Sequence, residues 1–216
     1  MKKTLSIIVL LLIMIIALSG CAKVDYSTTI KSDGSGEITY ICAMNKTLIE
    51  NLGKNNASAT YDLRTKAESA GYSIEDYEDE EMAGFKASKK VDDITNKSYI
   101  LELFEQYVEN GEESKINIKN HLFGKTYSQK AIINLESVEQ LKELGAKVSY
   151  TVNLPTKVSK TNANNISKDK KTITWNIDFG TTEEISFVAK TRTGLFLDIY
   201  SSFNYDSGNT NLYPFK

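Results

Sequence analysis

Apolar and polar residues alternate along most of this chain, and the alternation predicts strands. Two such runs, "VDYSTTI" and "EITYICAMN", flank Asp33-Gly34-Ser35-Gly36, residues suited to a tight turn with positive φ. Pairing Lys31 with Glu37 across the turn sets Ile30 against Ile38, Thr28 against Tyr40, Tyr26 against Cys42 and Val24 against Met44. One face of this hairpin is then apolar throughout. "YSIEDYEDEEMAGFKASKKV" predicts a second hairpin, with the acidic residues Glu78 to Glu81 as its solvated turn. "SKINIKNHLF" and "TYSQKAIINLE" are two further strand candidates. The last third alternates Val148, Tyr150, Val152 and Leu154, then Ile173, Trp175, Ile177 and Phe179, with "EEISFVAKT" to follow. The polar stretch between the first two of these runs is expected to extend their hairpin raggedly.

Helical spacing marks three places. Residues 45–70 start with Asn45 as an N-cap, carry Leu48, Ile49 and Leu52 on one face, and turn Leu63, Ala67 and Ala70 inward before Gly71. Ile100, Leu103, Phe104, Tyr107 and Val108 form a stripe that predicts an amphipathic helix over 98–109, stopped by Asn110-Gly111. Ser137 and Gln140 make a capping box for a short helix in "SVEQLKELG". The order of elements predicts a single α+β domain, a largely antiparallel β-sheet with packed helices. If the sheet is curved, the 98–109 helix would close it over a cavity.

One apolar run does not alternate. Ile7 to Leu18 follows Lys2 and Lys3 and ends at Ser19-Gly20-Cys21, so residues 1–20 read as a signal peptide. About a dozen residues is short of the roughly 18–20 that cross a bilayer as a helix. Leu18-Ser19-Gly20-Cys21 resembles a bacterial lipobox, in which the cysteine receives diacylglycerol and cleavage falls ahead of it. The expected modification is therefore lipidation of Cys21, with cleavage between Gly20 and Cys21. The expected location is the extracytoplasmic face of a bacterial cell membrane. The domain itself is expected over residues 21–193, and residues 194–216 form an aromatic tail, either a last strand, an interfacial segment or partly disordered.

Charge and chemistry narrow the picture. Loss of Lys2 and Lys3 leaves 24 basic and 28 acidic groups, a net charge of −4, which argues against a nucleic-acid partner. With Cys21 acylated, Cys42 stands alone, cannot form an intramolecular disulfide, and fits a small buried hydrophobe. His121 is the single histidine, and its place in "NIKNHLF" suits a surface or strand-edge residue. No paired cysteines or histidines suggest zinc, no G-x-S-x-G surrounds a serine, and no phosphate-binding glycine loop occurs. The cluster Glu75, Asp76, Glu78, Asp79, Glu80 and Glu81 lacks the spacing and glycine of an EF-hand loop and reads as a solvated turn. The sequence thus assigns no catalytic residue, metal ligand or cofactor, and identifies no ligand-binding residue. A non-enzymatic protein is the expectation.

Two blocks, "CAKVDYSTTIKSDGSGEI" and "YTVNLPTKVSKTNANNISKDKKTITWNI", resemble the LppM-type bacterial lipoproteins. The matching positions are Cys21, Asp33-Gly34-Ser35-Gly36, Pro155, Val158 and Thr174-Trp175, while Thr156 stands where that family more often has glycine. The resemblance implies a membrane-proximal extracytoplasmic α+β domain with no enzymatic residues to carry over, and a role in handling or sensing envelope lipids or glycolipids. The expected partners are the membrane, through the lipid anchor, and an envelope lipid or glycolipid. The alternative is a protein-interaction or scaffold module of the envelope.

Overall fold

The strands form where the alternation places them, but they build two sheets. The computed structural model describes residues 20, 22–52, 57–100, 102–109, 112–139, 142 and 145–191. Strands β1 (Ala22–Ile30) and β2 (Gly36–Asn45) form the first hairpin, followed by helices α1 (Lys46–Leu52) and α2 (Ala57–Ser69). The second hairpin is β3 (Ser73–Glu78) with β4 (Met82–Val91). A 3-10 segment, Glu102–Tyr107, leads to β5 (Val108–Glu109), β6 (Asn117–His121) and β7 (Gly124–Asn134). The chain ends its described course with β8 (Lys147–Asn153), β9 (Val158–Thr161), β10 (Asn165–Ile166), β11 (Thr172–Ile177) and β12 (Thr182–Lys190).

The larger sheet has seven strands in the order β10-β11-β8-β1-β2-β4-β3, and the smaller runs β5-β7-β12-β9 with β6 also on β7. All pairings are antiparallel except β1 with β8. Their apolar faces share one core, in which Tyr26, Ile38, Tyr40 and Trp175 of the larger sheet meet Tyr127, Ile133, Ile185 and Phe187 of the smaller. At its centre Trp175, Tyr150, Tyr26 and Tyr40 lie in register across four adjacent strands. Their ring centroids are 5.5, 4.9 and 4.6 Å apart along that row.

The polar ends of these rings stitch the sheet to what covers it. Tyr150 donates to Gln129 Oε1 at 2.9 Å, and Trp175 Nε1 donates to Asn162 Oδ1 at 2.9 Å. Tyr26 donates to the Tyr99 carbonyl, and Tyr40 accepts the Leu103 N–H at 3.2 Å. Aromatic rings here supply buried area while their tips remain hydrogen-bonded.

Several expectations need correction. The molecule is mostly β-sheet rather than a sheet with packed helices: of the described side chains of α2, only Ala67 is buried, while Leu63 and, just past the helix end, Ala70 pack partly against the core. Asn45 does cap α1, accepting the Thr47 N–H at 3.0 Å, but Ile49 of the proposed apolar face is 41% exposed. The first hairpin pairs Ile30 with Gly36, Thr28 with Ile38 and Tyr26 with Tyr40, two residues from the expected register. The cause is at the turn. Asp33 accepts the Ser35 N–H and hydroxyl, Gly34 takes φ +98°, and a five-residue loop closes between Lys31 and Ser35. Gly36 then belongs to the strand, where a Cβ would lie 2.8 Å from the Thr29 carbonyl oxygen. A shift of two keeps every side chain on its face, so the apolar face survives.

The 98–109 helix does not form. Its place is taken by the 3-10 segment, kinked at Phe104 (φ −129°, ψ 35°). Tertiary bonds claim its backbone: Tyr26 holds the Tyr99 carbonyl, Tyr40 the Leu103 N–H, and Lys66 Nζ the Leu103 carbonyl at 2.7 Å. The stretch expected as a short helix from 137 opens with a 3-10 turn, Glu136–Val138, with Leu135 at its N-cap and no side-chain cap bond; Lys142 is helical, and Gln140 with residues 141, 143 and 144 lies outside the described residues. Nor does the polar stretch before Trp175 simply extend a hairpin, because β9 leaves for the smaller sheet while β10 stays with β11.

Candidate functional site: an apolar groove at the strand ends

Where β1 and β8 begin, the two sheets do not close on each other. Val24 pairs with Val148, and Val148 with Ile177, so these strand ends and the following Phe179 present an apolar floor. Leu135 and Val138 form one wall. Leu63 of α2, with Leu103, Phe104 and Tyr107 of the kinked segment, forms the other, enclosing about 360 Å³. Asp62, Lys66 and Gln106 are exposed at its rim. The kink explains the opening: Leu103 turns into the core at 1% exposure, whereas Phe104 and Tyr107 stay half-buried and line the groove.

The kinked wall is pinned by a charge cluster. Glu102 accepts from Tyr72 at 2.6 Å and from Lys97, and lies 3.8 Å from Lys89. Burial pushes the Glu102 carboxyl up, but the bonds from Lys97 and Tyr72 outweigh it and hold the group below its ordinary range. Burial, with Glu102 beside it, raises the Tyr72 hydroxyl well above its usual value. Lys89 also donates to the Ala70 carbonyl at 2.6 Å, so β4, α2 and the 3-10 segment meet at one point.

The groove offers hydrocarbon walls and a polar rim, a lining suited to the apolar part of a ligand held with its polar part in water. Other depressions of about 470 and 560 Å³ are shallow and edged by charged or polar side chains. Sequence reasoning set the 98–109 segment beside a cavity but assigned none of the groove residues to a ligand. The signal available was that Phe104 and Tyr107 fall on a stripe too wide for a short helix to bury.

The residues singled out from sequence are dispersed. Cys21, residues 1–19 of the expected signal peptide and the tail 194–216 lie outside the described residues. Gly20, the other half of the expected cleavage site, runs beside Gly145, where a Cβ would sit 2.4 Å from the carbonyl oxygen. Cys42 is buried at 3% exposure, and burial pushes its thiol up to about 12, so it packs as a hydrophobe. His121 is exposed at the end of β6, 2.9 Å from Thr126 Oγ1. The acidic turn is solvated and ion-paired: Glu75 with Lys86 at 3.5 Å, Asp76 with Arg64 at 2.9 Å, Glu78 with Lys46 at 2.6 Å and Asp79 with Lys23 at 3.5 Å. Among the described residues no three His, Cys, Asp or Glu side chains are grouped to hold a metal ion, and no helix is long and apolar enough to cross a membrane.

Comparison with known proteins finds one family and one fold. The LppM domain family model matches residues 23–191. The folded domain of LppM from Mycobacterium tuberculosis, solved by NMR, superposes with a TM-score of 0.51 at 15% identity, covering 80% of this chain and 91% of that one. At that identity the likeness is one of fold. No curated protein sequence matches the chain.

Proposed function

We propose a function from one premise: the chain belongs to the LppM family. The protein is a non-enzymatic lipoprotein of the bacterial envelope, held on the outer face of the cell membrane by diacylglycerol on Cys21. Its groove takes the hydrocarbon part of an envelope lipid or glycolipid. Two acyl chains would hold the protein stably at the surface, where one gives only marginal binding. No nucleic-acid partner is proposed.

The observation that carries this reading is the groove's position. Val24 lines it, and Val24 follows Cys21 by three residues, about 10 Å of extended chain. A domain tethered there carries its apolar opening beside the acyl region of the leaflet. The experiment is photocrosslinking of full-length protein in vesicles that contain a phospholipid with a photoreactive acyl chain. Crosslinks should map to peptides holding Leu63, Phe104, Tyr107 and Val138, and Leu63→Trp, which fills the groove, should remove them. Crosslinks scattered over the surface, or unchanged by that substitution, would refute the reading.

One observation favours a second reading, a docking module. Leu122, in the turn between β6 and β7, is 88% exposed at the end of the sandwich remote from Val24. In-cell crosslinking of wild type against Leu122→Ser would show a partner lost, and an unchanged set of partners would remove this reading.

A further inference from the structure

Basic charge is concentrated in one segment at the end of the sandwich remote from Val24, an end that also carries Asp33, Asp92 and Asp93 on its neighbouring turns. Residues 154–171 hold five lysines and one aspartate, a net charge of +4 within a mature chain of −4, so the remainder carries −8. The fold gathers these lysines. Val158 N–H donates to the Lys170 carbonyl at 2.8 Å, Leu154 N–H to the Lys171 carbonyl at 2.8 Å, and Thr156 Oγ1 to the Lys190 carbonyl at 3.2 Å. Lys157, Lys168, Lys170, Lys171 and Lys190 therefore converge at one end of the sandwich, with Lys160 on the adjoining strand β9. All six are exposed, and among the described residues none makes an ion pair. The carboxylate of Asp169 is turned to its own loop, accepting from the Ser167 hydroxyl and the Lys171 N–H.

At the other end Lys142 and Lys147 make no ion pair among the described residues, but three lysines are neutralised. Lys23, Lys46 and Lys86 each pair with an acid of the β3–β4 hairpin. Protection of a sheet edge accounts for Lys160, which lies on edge strand β9. It does not account for Lys157, Lys168, Lys170 and Lys171, which lie in the connections beyond the strand ends.

We propose that this lysine-bearing end binds an anionic, phosphate-bearing polymer of the cell envelope. Unpaired like charges concentrated on one end raise the local potential and attract polyanions, and lysines act on phosphate as solvated point charges rather than bidentate clamps. A linear polymer suits them, because their backbone positions run along the end of the sandwich instead of converging on a pocket. The position favours a polymer over the membrane surface. β1 runs nine residues from the anchor end to this one, about 30 Å, several times the Debye length of about 8 Å at physiological salt. Only this last step rests on the anchor at Cys21; binding of the polymer by the protein does not.

The test is titration of full-length protein with fluorescent poly(glycerol phosphate), read by anisotropy. Binding at 50 mM salt should weaken roughly 100-fold by 200 mM, as expected for about five neutralised phosphates. Replacing Lys157, Lys168, Lys170 and Lys171 together by glutamine should abolish it with the far-UV spectrum unchanged. The same charge change at Lys46, Lys86, Lys142 and Lys147 should leave it intact. Absence of binding at 50 mM salt, equal loss in both quadruple variants, or binding to anionic vesicles but not to the polymer would each overturn the proposal.

Discussion

Replacing Asn162 with alanine probes the join between the two sheets at the edge where β9 and β11 meet. Its Oδ1 accepts from Trp175 Nε1 at 2.9 Å and from the Ser186 N–H at 2.8 Å, while its Nδ2 donates to the Glu184 carbonyl at 2.6 Å. Ser186 and Glu184 lie where water can replace the lost bonds, but Trp175 is only 2% exposed and its N–H would be left without an acceptor. A net bond is worth about 1 kcal/mol and an orphaned buried donor costs about 1–3, so Asn162→Ala should lose roughly 2–3 kcal/mol. In a domain of this size that is a fall in Tm of roughly 5–10 °C. Trp175 is the single tryptophan, so urea unfolding followed by its fluorescence reads the affected ring directly. Asn162→Asp keeps both acceptor bonds, loses the donation to Glu184, and should fall between wild type and alanine. A variant within about 0.5 kcal/mol of wild type, with the emission maximum unmoved, would refute the view that this side chain joins the sheets.

Three further outcomes are expected. The Glu102 carboxyl is depressed in the folded state, so its stabilisation is present above its unfolded pKa, about 4.3, and is lost as pH falls through the folded value. Glu102→Gln should therefore cost about 1–3 kcal/mol at neutral pH and flatten the stability profile below pH 5; parallel profiles for variant and wild type would contradict this. Gly84→Ala places a Cβ 2.0 Å from the Cys42 carbonyl oxygen, a backbone obstacle, and should destabilise by roughly 3 kcal/mol in thermal unfolding, whereas a neutral result would deny the close approach of β2 and β4. Cys21→Ala should abolish metabolic labelling with palmitate and block signal cleavage, and persistent labelling would remove the anchor from the account.

The sequence carried the strands well because their period of two is a local signal. Val148, Tyr150, Val152, Ile173, Trp175 and Ile177 all lie inside as the alternation requires. Sheet membership was not local. Nothing in "VSKT" marks β9 for the smaller sheet rather than for a hairpin with its neighbours. The 98–109 stripe misled for a related reason: helical spacing ranks the backbone's own bonds first, and here Tyr26, Tyr40 and Lys66 compete successfully for them from distant parts of the chain. The groove exists because that competition leaves Phe104 and Tyr107 half-turned from the core. Its lining comes from six separated segments, so no single stretch could announce it. The lysines of 157–171 were visible as composition, but their convergence with Lys190 and their lack of ion partners are properties of the fold.

A groove that holds the hydrocarbon of an envelope lipid should keep that lipid through gentle extraction. Native mass spectrometry of full-length protein released gently from bacterial membranes measures this most directly. The expected spectrum shows the lipidated chain with one further non-covalent lipid, absent from Leu63→Trp. A spectrum showing only the lipidated chain, alike in wild type and Leu63→Trp, would contradict the claim.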